Sequence, residues 1–192
     1  MTLPAGTVTF LFTDVEGSTR LWDAFPDDMR TALGLHDEIL TSAAEENGGV
    51  VVKHTGDGLF MAFGSAASAA AAAIDAQRRL AEADWPDVVG ALVVRMALHT
   101  AEAEPTGNDY LSPEVNRVAR IEAAGHGGQI LVSGSTARLV AGALQPGTDL
   151  IDLGSHPLRG LSAPEQIHQL SVVRLRVTFP PLRTESAIKG RL

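Results

Sequence analysis

Phe12-Thr13-Asp14-Val15-Glu16-Gly17-Ser18-Thr19 and Lys53-His54-Thr55-Gly56-Asp57-Gly58 each set an aspartate in a tight, glycine-flanked turn beside an apolar run. The first aspartate closes a β-branched and aromatic stretch, residues 7–12, which reads as a buried strand. The second lies in the turn of a hairpin predicted from residues 50–53 and 59–63. Carboxylates at a strand end and in a neighbouring hairpin turn can meet across the sheet. Two hard oxygen ligands of this kind suit Mg²⁺ or Mn²⁺ better than zinc. Glycine beside each lets a bulky anion approach the backbone, so the pair points to metal-assisted chemistry on a nucleoside triphosphate.

Working outward, Ser18 or Thr19 is expected to cap a short helix that carries Leu21 and Trp22 and stops near Pro26. Asp27 and Asp28 open a longer helix that ends at Asn47-Gly48-Gly49. An alanine-rich helix is expected over 65–83, a strand over 92–100, and a loop or protruding hairpin over 101–110. Pro113 sits where a first-turn proline costs nothing, opening a helix to Ala124. Short elements follow at 130–132, 135–140, 150–153 and 166–173. Without the additions the order is βαββαβ: an α/β (α+β) fold with a ferredoxin-like core, an antiparallel-rich sheet and helices on one face. The catalytic domain is expected over 1–175, with 176–192 a C-terminal tail or linker after the break at Pro180-Pro181.

The 192 residues suffice for one such domain with a proper core. Hydrophobic residues make up 45% and charged residues 20%, the balance of a soluble globular protein. A net charge of −8 argues against a nucleic-acid binder, so an anionic substrate must be recruited by a few placed cations and metal ions. With no cysteine, disulfides, thiolate nucleophiles and thiolate zinc sites are excluded, and a cytoplasmic location is expected. The six histidines lack HxxxH-type spacing, so zinc is not expected from them either. The opening residues lack the basic region of a secretory signal. The low-polarity stretch 66–74 falls short of the roughly 20 residues of a membrane helix, so no membrane association is expected.

These motifs, in this order, resemble the catalytic domain of class III nucleotidyl cyclases, which convert a nucleoside triphosphate to its 3′,5′-cyclic monophosphate and pyrophosphate. The likeness runs from about residue 7 to 170. Residues 98–104 and 123–129 are most similar to a bacterial subgroup with a shortened region before the catalytic asparagine. The resemblance implies that Asp14 and Asp57, with the Val15 carbonyl, hold two divalent ions, Mg²⁺ or Mn²⁺. It implies that backbone N–H groups of Gly17, Ser18 and Thr19 face the phosphates.

Lys53 stands where adenylyl cyclases carry lysine and guanylyl cyclases glutamate, and Asp109, seven residues before Asn116, matches its partner position. A lysine donates to adenine N1, and a carboxylate accepts from the N6 amino group, so ATP is the implied substrate. Asn116 and Arg120, four apart on one helix face, match the catalytic pair: asparagine on the ribose, arginine on the α-phosphate. Arg117 beside them is read as solvated. Arg159 falls where relatives carry a lysine for the terminal phosphates. Ala101 departs from the glycine common in relatives and is expected to alter the loop there. The family shares its sites across a head-to-tail dimer. All six of Asp14, Asp57, Lys53, Asp109, Asn116 and Arg120 are present, so a homodimer with two equivalent sites is implied, serving cyclic AMP synthesis and intracellular signalling. The rival readings are a guanylyl cyclase, a palm-type polymerase or diguanylate cyclase, and a nucleotide-binding regulatory domain without turnover.

Overall fold

The structure, a computed structural model, describes residues 2–184; the last eight residues of the expected tail lie outside the described residues. Twelve elements follow in order: β1 (Gly6–Val15), α1 (Ser18–Ala24), α2 (Pro26–Glu46), β2 (Val50–His54), β3 (Leu59–Phe63), α3 (Ala66–Glu82), β4 (Val94–Ala103), α4 (Pro113–Ala123), β5 (Ile130–Ser133), α5 (Gly134–Val140), β6 (Thr148–His156) and β7 (Glu165–Val172). They form one seven-stranded sheet in the order β2-β3-β1-β4-β5-β7-β6. The first four positions, β2-β3-β1-β4, are antiparallel throughout. That is the ferredoxin-like core expected from the element order. The one parallel pairing is β4 with β5.

Central β1 alternates its side chains between two cores. Leu11 and Val15 join α2, α3 and α5 on one face, whereas Val8 and Phe10 join Val118 and Ile121 of α4 on the other. The core helices α2 and α3 thus share one face, as expected, and α4, one of the additions, covers the second, against β1, β4 and β5. Its apolar stripe, Val118 and Ile121, is fully buried there, and Asn116 and Arg120 are turned outward. Six alanines of α3 (Ala66, Ala69, Ala70, Ala72, Ala73 and Ala76) are buried against the first face, where their small size allows close approach to the sheet. Ser65 caps this helix by accepting from Ser68 N–H at 3.4 Å, and Ser112 caps α4 by accepting from Glu114 N–H at 3.2 Å.

Three local expectations change. Strand β4 runs on to Ala103, pairing Ala101 with Val8. Ala101 is thus in regular strand, and among the described residues Arg174 is the one non-glycine with positive φ. No glycine is required at 101. Helix α1 is capped by Gly17 in the left-handed region (φ 78°) rather than by a hydroxyl. Finally, the segment expected to leave the domain after residue 175 folds back on it. Leu182 and Thr184 are buried, Arg183 N–H donates to the Ala124 carbonyl at 2.9 Å, and Gln169 donates to the Val177 carbonyl at 2.8 Å. Packing therefore extends nine residues past the expected boundary, because Leu182 completes the core under α4.

Candidate active site

The two aspartates meet because the β2–β3 hairpin is pressed onto β1. Leu59 N–H donates to Thr13 Oγ1 at 2.9 Å. A Cβ on Gly58 would lie 1.8 Å from the Thr13 carbonyl oxygen, so only glycine permits the approach. This brings the Asp57 carboxyl within reach of Asp14. Burial, opposed by Arg95 and reinforced by Asp57, raises the Asp14 pKa above the usual carboxylate value. Asp57 Oδ2 is buried with no hydrogen-bond partner. An orphaned carboxylate oxygen beside a second carboxylate is what a divalent cation would satisfy. No group of three or more His, Cys, Asp or Glu side chains suited to a metal occurs among the described residues. The chain itself therefore offers this site two carboxylates.

Arg95 was not singled out from the sequence. It stands directly across from Asp14 in the β1–β4 register, and its guanidinium is paired with the Asp14 carboxylate. Its Nε lies 3.0 Å from Glu122 Oε1 on α4. Burial pushes the Glu122 carboxyl up to about 7, with Arg95 opposing and the two aspartates adding to the rise. The available signal was an arginine amid the apolar run of β4, a place where a charge needs a partner.

Lys53 and Asp109, 56 residues apart, form an ion pair. Lys53 also lies 5.8 Å above the Phe60 ring. Asp109 is held by a tight turn in which Thr106 N–H donates to its carbonyl at 2.7 Å. Its second carboxylate oxygen accepts from Tyr110 N–H at 2.8 Å. The Lys53 ammonium holds the Asp109 carboxyl below the usual carboxylate range.

Helix α4 is anchored at its start. His99, buried in β4, bonds Glu114 at 2.7 Å and Ser133 at 2.9 Å. Arg117 bridges Glu114 (2.9 Å) and Glu165 (2.6 Å); it is a structural ion pair, not a solvated residue. Asn116 and Arg120 are exposed on the free side of α4. Arg120 shares a cleft of about 250 Å³ with Arg159, on the β6–β7 loop, and Arg183. A larger cavity, about 470 Å³, lies beneath residues 177–182 beside β6 and β7, away from every candidate residue.

The single chain therefore assembles three groups: Asp14 with Asp57, Lys53 with Asp109, and Arg120 with Arg159 in one cleft, with Asn116 exposed one turn earlier on α4. No hydrogen bond or ion pair found among the described residues joins the first group to the second. Gly17, Ser18 and Thr19 start α1 immediately after the first group. None of the described helices is long and apolar enough to cross a membrane.

Comparison with known proteins bears on the family and the fold. The adenylate and guanylate cyclase catalytic domain matches over residues 2–172. An uncharacterised protein of Mycobacterium tuberculosis is 43% identical over 183 residues, 94% of this chain. This chain spans 61% of that relative's length. An adenylate cyclase of Lachancea kluyveri is 35% identical over 154 residues, 68% of this chain and 8% of that protein. Among solved structures, an adenylate cyclase from Trypanosoma brucei in its monomeric state superposes with a TM-score of 0.85 at 27% identity, covering 96% of this chain and 97% of that one. A guanylate cyclase domain from Catenaria anguillulae in complex with GTP has a TM-score of 0.73 at 18% identity, over 87% of this chain and 97% of that one. At that identity the likeness extends to the fold alone.

Proposed function

The chain belongs to the adenylate and guanylate cyclase catalytic domain family, and from that premise we propose that it is an adenylate cyclase, converting ATP to 3′,5′-cyclic AMP and pyrophosphate. The observation that carries the adenine preference is the Lys53–Asp109 pair. Two residues far apart in sequence present a donor and an acceptor side by side, the complement of adenine N1 and N6. Guanine carries a proton on N1 and a carbonyl at position 6, so it meets a donor where it needs an acceptor and the reverse. The pair is partly exposed, 45% for Lys53 and 31% for Asp109. Its mutual attraction is accordingly weak enough to exchange for the base.

Asp14, Asp57 and the Val15 carbonyl hold the divalent ions, Mg²⁺ or Mn²⁺, in this reading. Bound there, such ions lower the pKa of the ribose 3′-hydroxyl and neutralise charge on the phosphates. Asn116 orients the ribose so that its 3′-oxygen faces the α-phosphorus. Arg120 stabilises the charge that develops on the α-phosphate, help commonly worth about 3 kcal/mol. Arg159 steadies the terminal phosphates with a planar fork that lysine lacks, and backbone N–H groups of Gly17, Ser18 and Thr19 face them. As the resemblance to the family implies, the working site is completed in a head-to-tail homodimer. Asp14 and Asp57 then come from one protomer, and Lys53, Asp109, Asn116 and Arg120 from its partner.

Incubating the purified protein with ATP or GTP and Mn²⁺ or Mg²⁺, and identifying products by chromatography and mass, tests the reading. Cyclic AMP from ATP, absent with Asp57→Ala, is expected. Cyclic GMP as the main product would overturn base selection by Lys53 and Asp109. Nucleotide binding with no cyclic product from either substrate would favour a regulatory domain.

The shared site makes a second prediction. Asp57→Ala and Arg120→Ala proteins, each inactive, should regain activity when mixed, because each heterodimer rebuilds one intact site. Co-purification with two different tags shows that heterodimers form. Their presence without any activity would count against the shared site.

A further inference from the structure

The cleft at the end of α4 is lined by three arginines, Arg120, Arg159 and Arg183, and, among the described residues, by no acidic side chain. In a chain with 15 Lys and Arg against 23 Asp and Glu, such a cluster runs against the composition. Guanidinium groups crowded around about 250 Å³ repel one another unless an anion lies between them. Two of the three already have phosphate-facing roles in the cyclase reading. Arg183 does not, and it comes from the returning segment beyond β7.

Its placement is determined on all sides. Leu182 and Thr184, its neighbours, are both buried. Its N–H donates to the carbonyl of Ala124, the last cap of α4, at 2.9 Å. Its Nη2 is paired with Glu16 Oε1, and Glu16 Oε2 accepts from Gly127 N–H at 2.9 Å. A Cβ on Gly127 would lie 2.8 Å from that oxygen, so glycine admits the carboxylate. Glu16 thus aims the guanidinium from one edge. Nε and Nη1 make no hydrogen bond among the described residues, and the side chain is 43% exposed. A held arginine with free donors on a cleft shared with two other arginines is arranged for a polyvalent anion.

We propose that Arg183 is a third cationic ligand of the polyphosphate, binding the terminal phosphates of the nucleoside triphosphate with Arg159, beside Arg120 at the α-phosphate. This rests on the adenylate cyclase reading for the identity of the substrate, but the anion site itself does not. Arg183 acts on binding rather than on the developing charge, since Arg120 serves the α-phosphate. Its loss therefore raises KM and leaves kcat nearly unchanged.

The test uses the full chain and two readouts. Calorimetry measures the affinity for inorganic tripolyphosphate, and steady-state kinetics measures KM and kcat for ATP. Arg183→Gln should weaken tripolyphosphate binding about tenfold and raise KM by a similar factor, as loss of a charge-assisted contact does. Arg183→Lys should fall between. Leu182→Ala, which loosens the segment but keeps the charge, separates anchoring from binding: it should lower thermal stability more than Arg183→Gln and cost less tripolyphosphate affinity. If Arg183→Gln does not fold, Arg183→Lys against Leu182→Ala decides the same question. Wild-type tripolyphosphate affinity in a folded Arg183 variant overturns the proposal, as does a loss no greater than in Leu182→Ala. A wild-type chain that makes no cyclic nucleotide but binds tripolyphosphate through Arg183 removes the cyclase reading and leaves the anion site standing.

Discussion

Asp57→Asn is expected to abolish cyclic nucleotide formation while making the metal-free protein more stable. The two effects have one cause. Asp57 Oδ2 is buried with no partner, and its charge is one of the influences that raise the Asp14 pKa, after burial itself. A folded-state pKa above the unfolded value means that the folded chain binds the extra proton. The penalty is absent at low pH and grows as pH rises from the unfolded toward the folded pKa of Asp14. Asparagine removes a charge and supplies an N–H₂ that can donate to Asp14. The gain is about 1 kcal/mol, or a melting temperature higher by about 2–4 °C for a chain of this length.

Function moves the other way. Replacing a hard anionic oxygen with an amide weakens divalent-ion binding at the proposed site, and such ions contribute several kcal/mol to the barrier. A loss of at least about a thousandfold in kcat/KM follows. Thermal melts with and without Mn²⁺ check the link: the ion should stabilise the wild type and leave Asp57→Asn unchanged. Equal stabilisation of both proteins, or activity in the variant within tenfold of wild type, would remove Asp57 from the metal site.

Arg95→Ala is expected to cost about 3–5 kcal/mol of stability, the effect of deleting one partner from a buried charge cluster. Arg95 faces Asp14 on one side and Glu122 on the other, and the Glu122 side chain is only 10% exposed. Without the guanidinium, the nearly buried Glu122 carboxyl is left uncompensated and the half-buried Asp14 carboxyl loses its partner. Total stabilities of domains are about 5–15 kcal/mol, so the variant is brought near unfolding. Its pH dependence identifies the cause. Glu122, already pushed up to about 7 by burial, would shift higher still once Arg95 is gone. An acid with a raised folded pKa destabilises the fold as pH climbs from its unfolded value to its folded one. The deficit of Arg95→Ala should therefore be larger at pH 8 than at pH 5 in urea unfolding. Glu122→Gln added to Arg95→Ala should recover part of the loss at pH 8, since a neutral amide needs no cation. A deficit below about 1 kcal/mol at pH 8 would mean that Arg95 is not what compensates this cluster.

Much of this site was legible along the chain because local rules place its residues. Asp14 ends a β-branched run and Asp57 occupies a glycine-flanked hairpin turn, so strand and turn patterns bring both to one end of the sheet. Ser112 and Pro113 mark the start of α4, and the four-residue spacing of Asn116 and Arg120 puts them on one face. The pairing of Lys53 with Asp109 was drawn from family resemblance rather than from pattern, and the fold brings the two side chains into contact. The side of the sheet that α4 covers was not legible. Its apolar stripe at Val118 and Ile121 suits either core, and only the alternation of Val8 and Phe10 against Leu11 and Val15 decides which one it meets.

The sequence alone thus determined the order of elements, the ferredoxin-like core and the candidate metal pair, because propensity, turn chemistry and short-range periodicity act between near neighbours, and family resemblance added the base residues. Tertiary structure decided the rest: Arg95 against Asp14, 81 residues apart, and Arg183 against Glu16, 167 apart. It also returned the segment after β7 to the domain. Those contacts depend on strand register and on the burial that Leu182 gains under α4. Both are sums over many distant residues, and no local stretch of the chain encodes them.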